Sequence, residues 1–129
     1  MPETIKRNAE AQNLCRLANE RVADVYYKFA ASGALDMSVE LFELFCECGE
    51  KVPCGERVRV TATTYERVRS DPTLFMLHPG HEAVAVEQTI GRGEGFLITR
   101  NIGSAADIAR AGDPRSTWGP AVKLNRVVL

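Results

Sequence analysis

Three cysteines within nine residues, Cys46, Cys48 and Cys54, constrain this chain more than any other feature. The segment reads Cys46-Glu47-Cys48-Gly49-Glu50-Lys51-Val52-Pro53-Cys54-Gly55, a C-x-C-x5-C spacing. Alternate residues of an extended chain project to the same side, so Cys46 and Cys48 present both sulfurs together. Gly49, Pro53 and Gly55 favour turns and let the chain double back to bring Cys54 to the same point. Three converging thiolates suit a soft metal, and a closed tetrahedral zinc sphere needs one further ligand. The two histidines, His78 and His81, flank a Pro-Gly pair, and either can supply a ring nitrogen. His81 is favoured. Zinc fits better than an iron–sulfur cluster, which ordinarily takes four thiolates.

What the thiols do depends on where the chain resides. Its first residues, Met1-Pro2-Glu3-Thr4-Ile5-Lys6-Arg7, lack the apolar core of a secretory signal. No stretch approaches the roughly 20 apolar residues that span a bilayer. We therefore expect a cytoplasmic protein with no membrane partner. In a reducing compartment, clustered cysteines are metal ligands or redox thiols rather than structural disulfides. The plainer alternative is a set of free thiols acting as a redox sensor.

Hydropathy patterning predicts an α+β fold, a small antiparallel sheet with the Cys3His zinc site and a long N-terminal helix. Residues 8–31 contain no Pro or Gly. Ala11, Leu14, Cys15, Ala18, Val22, Val25, Tyr26 and Phe29 form one apolar stripe there, with Glu10, Arg16, Glu20, Arg21 and Lys28 beside it. Cys15, on this stripe, is expected to act as a small buried hydrophobe. Ser32-Gly33 supplies the stop. Such a helix is long for a small domain, so self-association or a protein partner along it is expected. The period then changes to two, and 39–45 and 57–61 read as strands. Thr63 or Thr64 should cap a short helix over 65–69, ended by Asp71-Pro72. A brief strand at 75–77 enters the turn His78-Pro79-Gly80-His81, and residues 84–90 and 96–100 form a hairpin around Gly91-Arg92-Gly93-Glu94-Gly95. Residues 104–111 form a last short helix before Gly112-Asp113-Pro114. These elements divide into a helix (1–33), a zinc-binding α+β domain (39–112) and a tail (113–129) containing Trp118.

From about Phe45 to Arg115 the chain resembles a family of small, largely uncharacterised zinc-binding-type proteins of GC-rich bacteria. The matching stretches are Cys46-Glu47-Cys48-Gly49, Cys54, the segment from Thr61 to Asp71-Pro72-Thr73, Pro79-Gly80-His81-Glu82 and Gly95-Phe96-Leu97-Ile98. The resemblance implies Cys46, Cys48, Cys54 and His81 as the ligand set, because His81 falls in the PGHE stretch and His78 does not. It implies no enzymatic activity and no partner.

Other chemistries find less support. With 16 Lys+Arg against 17 Asp+Glu the net charge is −1, which excludes the broad cationic footprint of a sequence-independent nucleic-acid binder. Arg57, Arg59, Arg67 and Arg69 could line one basic surface, as in a nucleic-acid-binding zinc module, but Glu56 and Glu66 interrupt them and a mixed-charge face is expected. A zinc deaminase pairs H-x-E with a later C-x-x-C. Here His81-Glu82 lacks the spacer and the cysteines come first, so Glu82 is expected to be a solvated or supporting carboxylate. The glycine-rich stretch at 91–95 precedes a strand, not the helix N-terminus that a phosphate loop needs. Tyr65, Phe75, Phe96 and Trp118 are expected to be core or edge aromatics. No catalytic residue is assigned. The expected function is a non-catalytic, zinc-stabilised binding or regulatory module.

Overall fold

The computed structural model describes residues 3–33, 36, 38–49 and 54–115, so most of the tail, Trp118 included, lies outside the described residues. The fold is α+β, as the patterning predicts. Helix α1 (Glu3–Ala30) is followed by β1 (Leu41–Phe45), β2 (Arg57–Thr61), α2 (Ala62–Arg69), β3 (Leu74–Leu77), β4 (Glu87–Gly93), β5 (Phe96–Asn101) and α3 (Gly103–Ala111). The strands divide between two antiparallel sheets, one of β1 and β2 and one in the order β3-β5-β4.

The first sheet follows directly from its alternation. In β2, Val58 and Val60 are buried while Arg57 and Arg59 are exposed; in β1, Phe42 and Leu44 are buried opposite them. These four residues form the main core with Ala23 and Tyr27 of α1, Tyr65 and Val68 of α2, and Met76 of β3. Strand β2 passes into α2 without a linker. The cap is therefore Thr61, not Thr63 or Thr64: it keeps extended dihedrals, and its hydroxyl accepts the Thr64 N–H at 3.2 Å. The β4–β5 hairpin forms where expected, but β4 begins at Glu87, since 84–86 is a turn that leaves Val84 exposed and Val86 buried. Ile90 is an extra residue between Thr89↔Thr99 and Gly91↔Ile98, a bulge that bends the strand.

Helix α1 corrects the sequence reading most sharply. It buries Ala9, Gln12, Arg16, Asn19, Glu20, Ala23, Tyr27 and Ala30, whereas Leu14, Val25 and Phe29 of the apolar stripe are 65%, 70% and 63% exposed. Arg16 and Glu20, expected beside the stripe, are at the centre of the buried face. The polar residues are matched inside the chain. Gln12 donates to Glu87 at 2.7 Å, and Arg16 donates to the carbonyls of Pro72 and Ala109 at 2.6 and 2.8 Å. Glu20 accepts from Tyr65 at 2.7 Å and pairs with Arg115. A buried polar group is tolerated when it is hydrogen-bonded. Hydropathy periodicity registers the character of each residue but not whether a partner waits across the fold. Among the described residues, no helix is long and apolar enough to cross a membrane.

Candidate metal centre

Strand β1 ends at Phe45, and the cysteines begin at the next residue. The ladder to β2 continues for one more bond, Cys46 N–H to the Glu56 carbonyl at 3.1 Å. On its outer edge β1 is sealed by the Asn19 amide, which donates to the Phe45 carbonyl at 2.9 Å and accepts the Phe45 N–H at 2.8 Å. Asn19 thus satisfies the backbone as a neighbouring strand would. The chain then crosses to the second sheet, where the Glu47 N–H meets the Met76 carbonyl at 2.9 Å.

The side-chain alternation expected from C-x-C holds, and it has a second consequence. While Cys46 and Cys48 share one side, Glu47 projects to the other and is completely buried. Its carboxylate accepts from Arg69 at 3.0 Å, Asn19 at 2.8 Å and the Met76 N–H at 2.9 Å. Arg69 is equally buried, and its pKa is raised: burial works downward and is the largest single influence, but the fields of Glu47, Tyr65 and Glu20 together outweigh it. Gly49 follows because α1 is in the way. A Cβ there would lie 2.2 Å from the Asn8 carbonyl oxygen, a separation that no side chain tolerates.

Cys54 arrives from the other direction. Gly55, at φ 85°, turns the chain from Cys54 into β2. His81 is delivered by the turn after β3, where the His81 N–H bonds the His78 carbonyl at 3.1 Å with Pro79 and Gly80 (φ 89°) between them. Proline followed by a glycine of positive φ is the type II arrangement.

Cys46, Cys48, Cys54 and His81 consequently meet, with their four ligand atoms all within 4.8 Å of one another. His81 Nδ1 stands 3.3 Å from Cys54 Sγ and 3.7 Å from Cys46 Sγ. No disulfide joins the cysteines. Cys46 and Cys48 are buried, while Cys54 and His81 are half-buried. Such a cluster can hold one metal ion. Of the two histidines, His81 faces the sulfurs, and His78 turns its Nε2 to Glu56 at 3.3 Å. His78 contributes through its backbone instead, donating its N–H to Cys46 Sγ at 3.1 Å. Burial pushes the Cys46 thiol well above its ordinary value against the pull of that N–H. A bound cation reverses this balance by favouring the thiolate.

Cys15 is not the buried hydrophobe expected of it. It is half-buried beside the cluster, its Sγ 3.9 Å from the Cys48 carbonyl oxygen. Its pKa is pushed up to about 11 by burial and then by Glu47, Cys48 and Cys54. The four arginines considered as a basic surface are not all at the surface. Arg69 is locked to Glu47 in the interior, Arg57 lies over the Phe45 ring at 4.4 Å, and Arg59 stands opposite Glu43. Tyr65 and Phe75 are core residues, as expected, and Phe96 packs at the core's edge. Comparison with protein-family models, curated proteins and solved structures finds no match to this chain.

Proposed function

We propose that Cys46, Cys48, Cys54 and His81 hold one structural zinc ion, and that the chain is a non-catalytic binding or regulatory module of the cytoplasm acting through protein contacts. A tetrahedron with zinc–sulfur bonds of about 2.3 Å and zinc–nitrogen bonds of about 2.0–2.1 Å has S···N edges of about 3.6 Å. The S···N separations of 3.3 and 3.7 Å bracket that edge, and this observation carries the reading. Four protein ligands close the coordination sphere, leaving no position for water or substrate, and three thiolates weaken zinc as a Lewis acid. The likeness of the C-x-C-x5-C and PGHE stretches to the zinc-binding-type family agrees with this. The ion's role is to fix the 46–55 segment and the 78–81 turn, since ligands scattered in the unfolded chain are gathered only on folding.

A thiol redox sensor is the second reading, favoured by Cys15 against the cluster. In that chemistry peroxide takes two electrons from two thiolates. One S–S bond forms, the O–O bond breaks, two protons are taken up to give two waters, and the metal leaves. Burial of Arg69 removes one of the four cations that a nucleic-acid reading would use.

Metal analysis and thiol titration of the purified protein test the proposal together. We expect one zinc per chain, with Cys46, Cys48 and Cys54 reacting only after chelation. Cys54→Ser and His81→Ala should each lose the metal and lower Tm by on the order of 10 °C or more. Variants that retain stoichiometric zinc and melt like the parent overturn the ligand assignment. Reversible zinc loss with disulfide formation under mild peroxide selects the redox sensor.

A further inference from the structure

The apolar stripe of α1 has an order of its own. Ala11, Cys15, Ala18, Val22, Val25 and Phe29 follow one another at alternating intervals of four and three residues, the spacing of a two-helix seam. Ala11, Cys15, Ala18 and Val22 are half-buried, Val22 against the main core, and exposure rises toward the C-terminal end. Val25 is 70% and Phe29 63% exposed, and an apolar groove of about 600 Å³ runs between this face and β1. The positions are also symmetric about residue 20: Ala11 and Phe29, Cys15 and Val25, and Ala18 and Val22 lie equally far from it.

We infer that this face is the interface of a two-fold symmetric homodimer in which α1 packs antiparallel to α1 of a second copy. Antiparallel pairing about residue 20 sets each small residue against a larger one, Ala11 on Phe29, Ala18 on Val22 and Cys15 on Val25. Parallel pairing would place Ala11 on Ala11 and Phe29 on Phe29, alternating gaps with clashes. A self-complementary patch is what a two-fold interface requires. The stripe is about 27 Å long at 1.5 Å per residue and, with the β1 rim, about 15–20 Å wide; two copies bury on the order of 1,000 Å², the lower bound for a specific interface. Burial of that size suits a dimer that dissociates on dilution. The inference goes beyond the metal reading; because Cys15 and Ala18 of the same stripe line a pocket with Cys46 and Cys54, the glutamate variants that test it are placed at Val25 and Phe29.

Sedimentation of the full chain across about 1–100 µM tests it, read together with Tm and metal content. We expect a concentration-dependent monomer–dimer equilibrium. Val25→Glu and Phe29→Glu should each weaken association at least about 100-fold, by setting a charge in an apolar seam, with metal content unchanged. Ala11→Lys should also weaken it, and the double variant Ala11→Lys/Phe29→Glu should recover much of the loss, because the two substitutions meet across the interface. A chain that stays monomeric at 100 µM overturns the proposal, whatever covers the stripe, its own C-terminal segment or a different protein. So does a dimer indifferent to both glutamate variants. Monomers of these variants that melt well below the dilute parent would mean that the stripe packs within the chain, and would overturn it too. A double variant no better than either single one overturns the antiparallel register.

Discussion

The cysteine end of the molecule and the buried face of α1 both hold polar groups away from water, and they satisfy them differently. Along α1 the chain supplies both halves of each pair: Glu47 with Arg69, Glu20 and Glu66 with Arg115, and Glu87 with donors from Gln12, Thr99 and Ala83. At the cysteine end three thiols and an imidazole converge instead. The first arrangement draws its partners from within the chain, although Nε of Arg16 and of Arg69 finds none among the described residues; the second is a group of ligands that can hold a metal ion. Metal removal should therefore loosen the cysteine end and leave the buried polar seam between α1 and the rest of the fold in place, whereas a substitution in that buried seam should damage both. The two regions join at Glu47, whose backbone carries Cys46 and Cys48 on either side and whose carboxylate belongs to the seam.

Glu47 is where the comparison is most easily broken. Removing one partner of a buried ion pair leaves the other charge uncompensated and costs about 3–5 kcal/mol. We expect Glu47→Ala to lose stability of that size in urea unfolding of the metal-loaded protein, and to weaken metal retention as well. Glu47→Met combined with Arg69→Met should recover at least half of the loss, since no charge is then stranded. A loss below about 1 kcal/mol for Glu47→Ala would place this pair with weak surface ion pairs and dissolve the distinction.

A smaller effect is expected at Gly49, where the cysteine segment touches the Asn8 carbonyl of α1. Gly49→Ala forces two backbones apart and should cost about 1–3 kcal/mol, the usual range for overpacking. Because Cys48 is the adjacent residue, metal affinity should fall in parallel, measurable by competition with a chromophoric chelator. Stability lost with affinity unchanged would show that α1 yields and the ligand cluster does not.

Much of the fold was legible in short-range signals. The alternation of Arg57-Val58-Arg59-Val60-Thr61 marks a half-buried strand, and β2 has those bounds. Pro79-Gly80 marks a turn, and that turn carries His81 to the cysteines. The grouping of Cys46, Cys48 and Cys54 was readable because it rests on residue type and spacing, whereas spacing left both histidines open and the fold brings His81 to the sulfurs. The buried face of α1 was not, because Gln12, Arg16, Asn19 and Glu20 look solvent-bound until Glu87, the Pro72 carbonyl, Phe45 and Tyr65 are brought from 26 to 75 residues away. Glu47 was hidden by the same cause, although the alternation that pairs the flanking sulfurs already sent its side chain the opposite way. The division into two sheets depends on how the chain crosses between Cys46 and Cys48, which no local pattern encodes.

Glu87 offers the finest test of the seam, because there the pairing is neutral and incomplete. It is buried and accepts from the Ala83 N–H, Gln12 and Thr99 at 2.7–2.8 Å, with no cation in the set. Burial raises its pKa above the ordinary value of 4.5, and those three hydrogen bonds, which favour the carboxylate, only partly oppose it. The folded-state pKa thus exceeds the unfolded one, so the group's contribution is fully present below about pH 4.5 and is lost as pH rises through the folded value. Each pKa unit of difference corresponds to about 1.4 kcal/mol. The parent should therefore lose stability relative to Glu87→Gln between about pH 4.5 and 7, read as the difference in urea midpoints so that the metal's own pH dependence cancels. A difference that instead grows in the parent's favour with pH would mean that the hydrogen bonds from Ala83, Gln12 and Thr99 to the Glu87 carboxylate outweigh its burial.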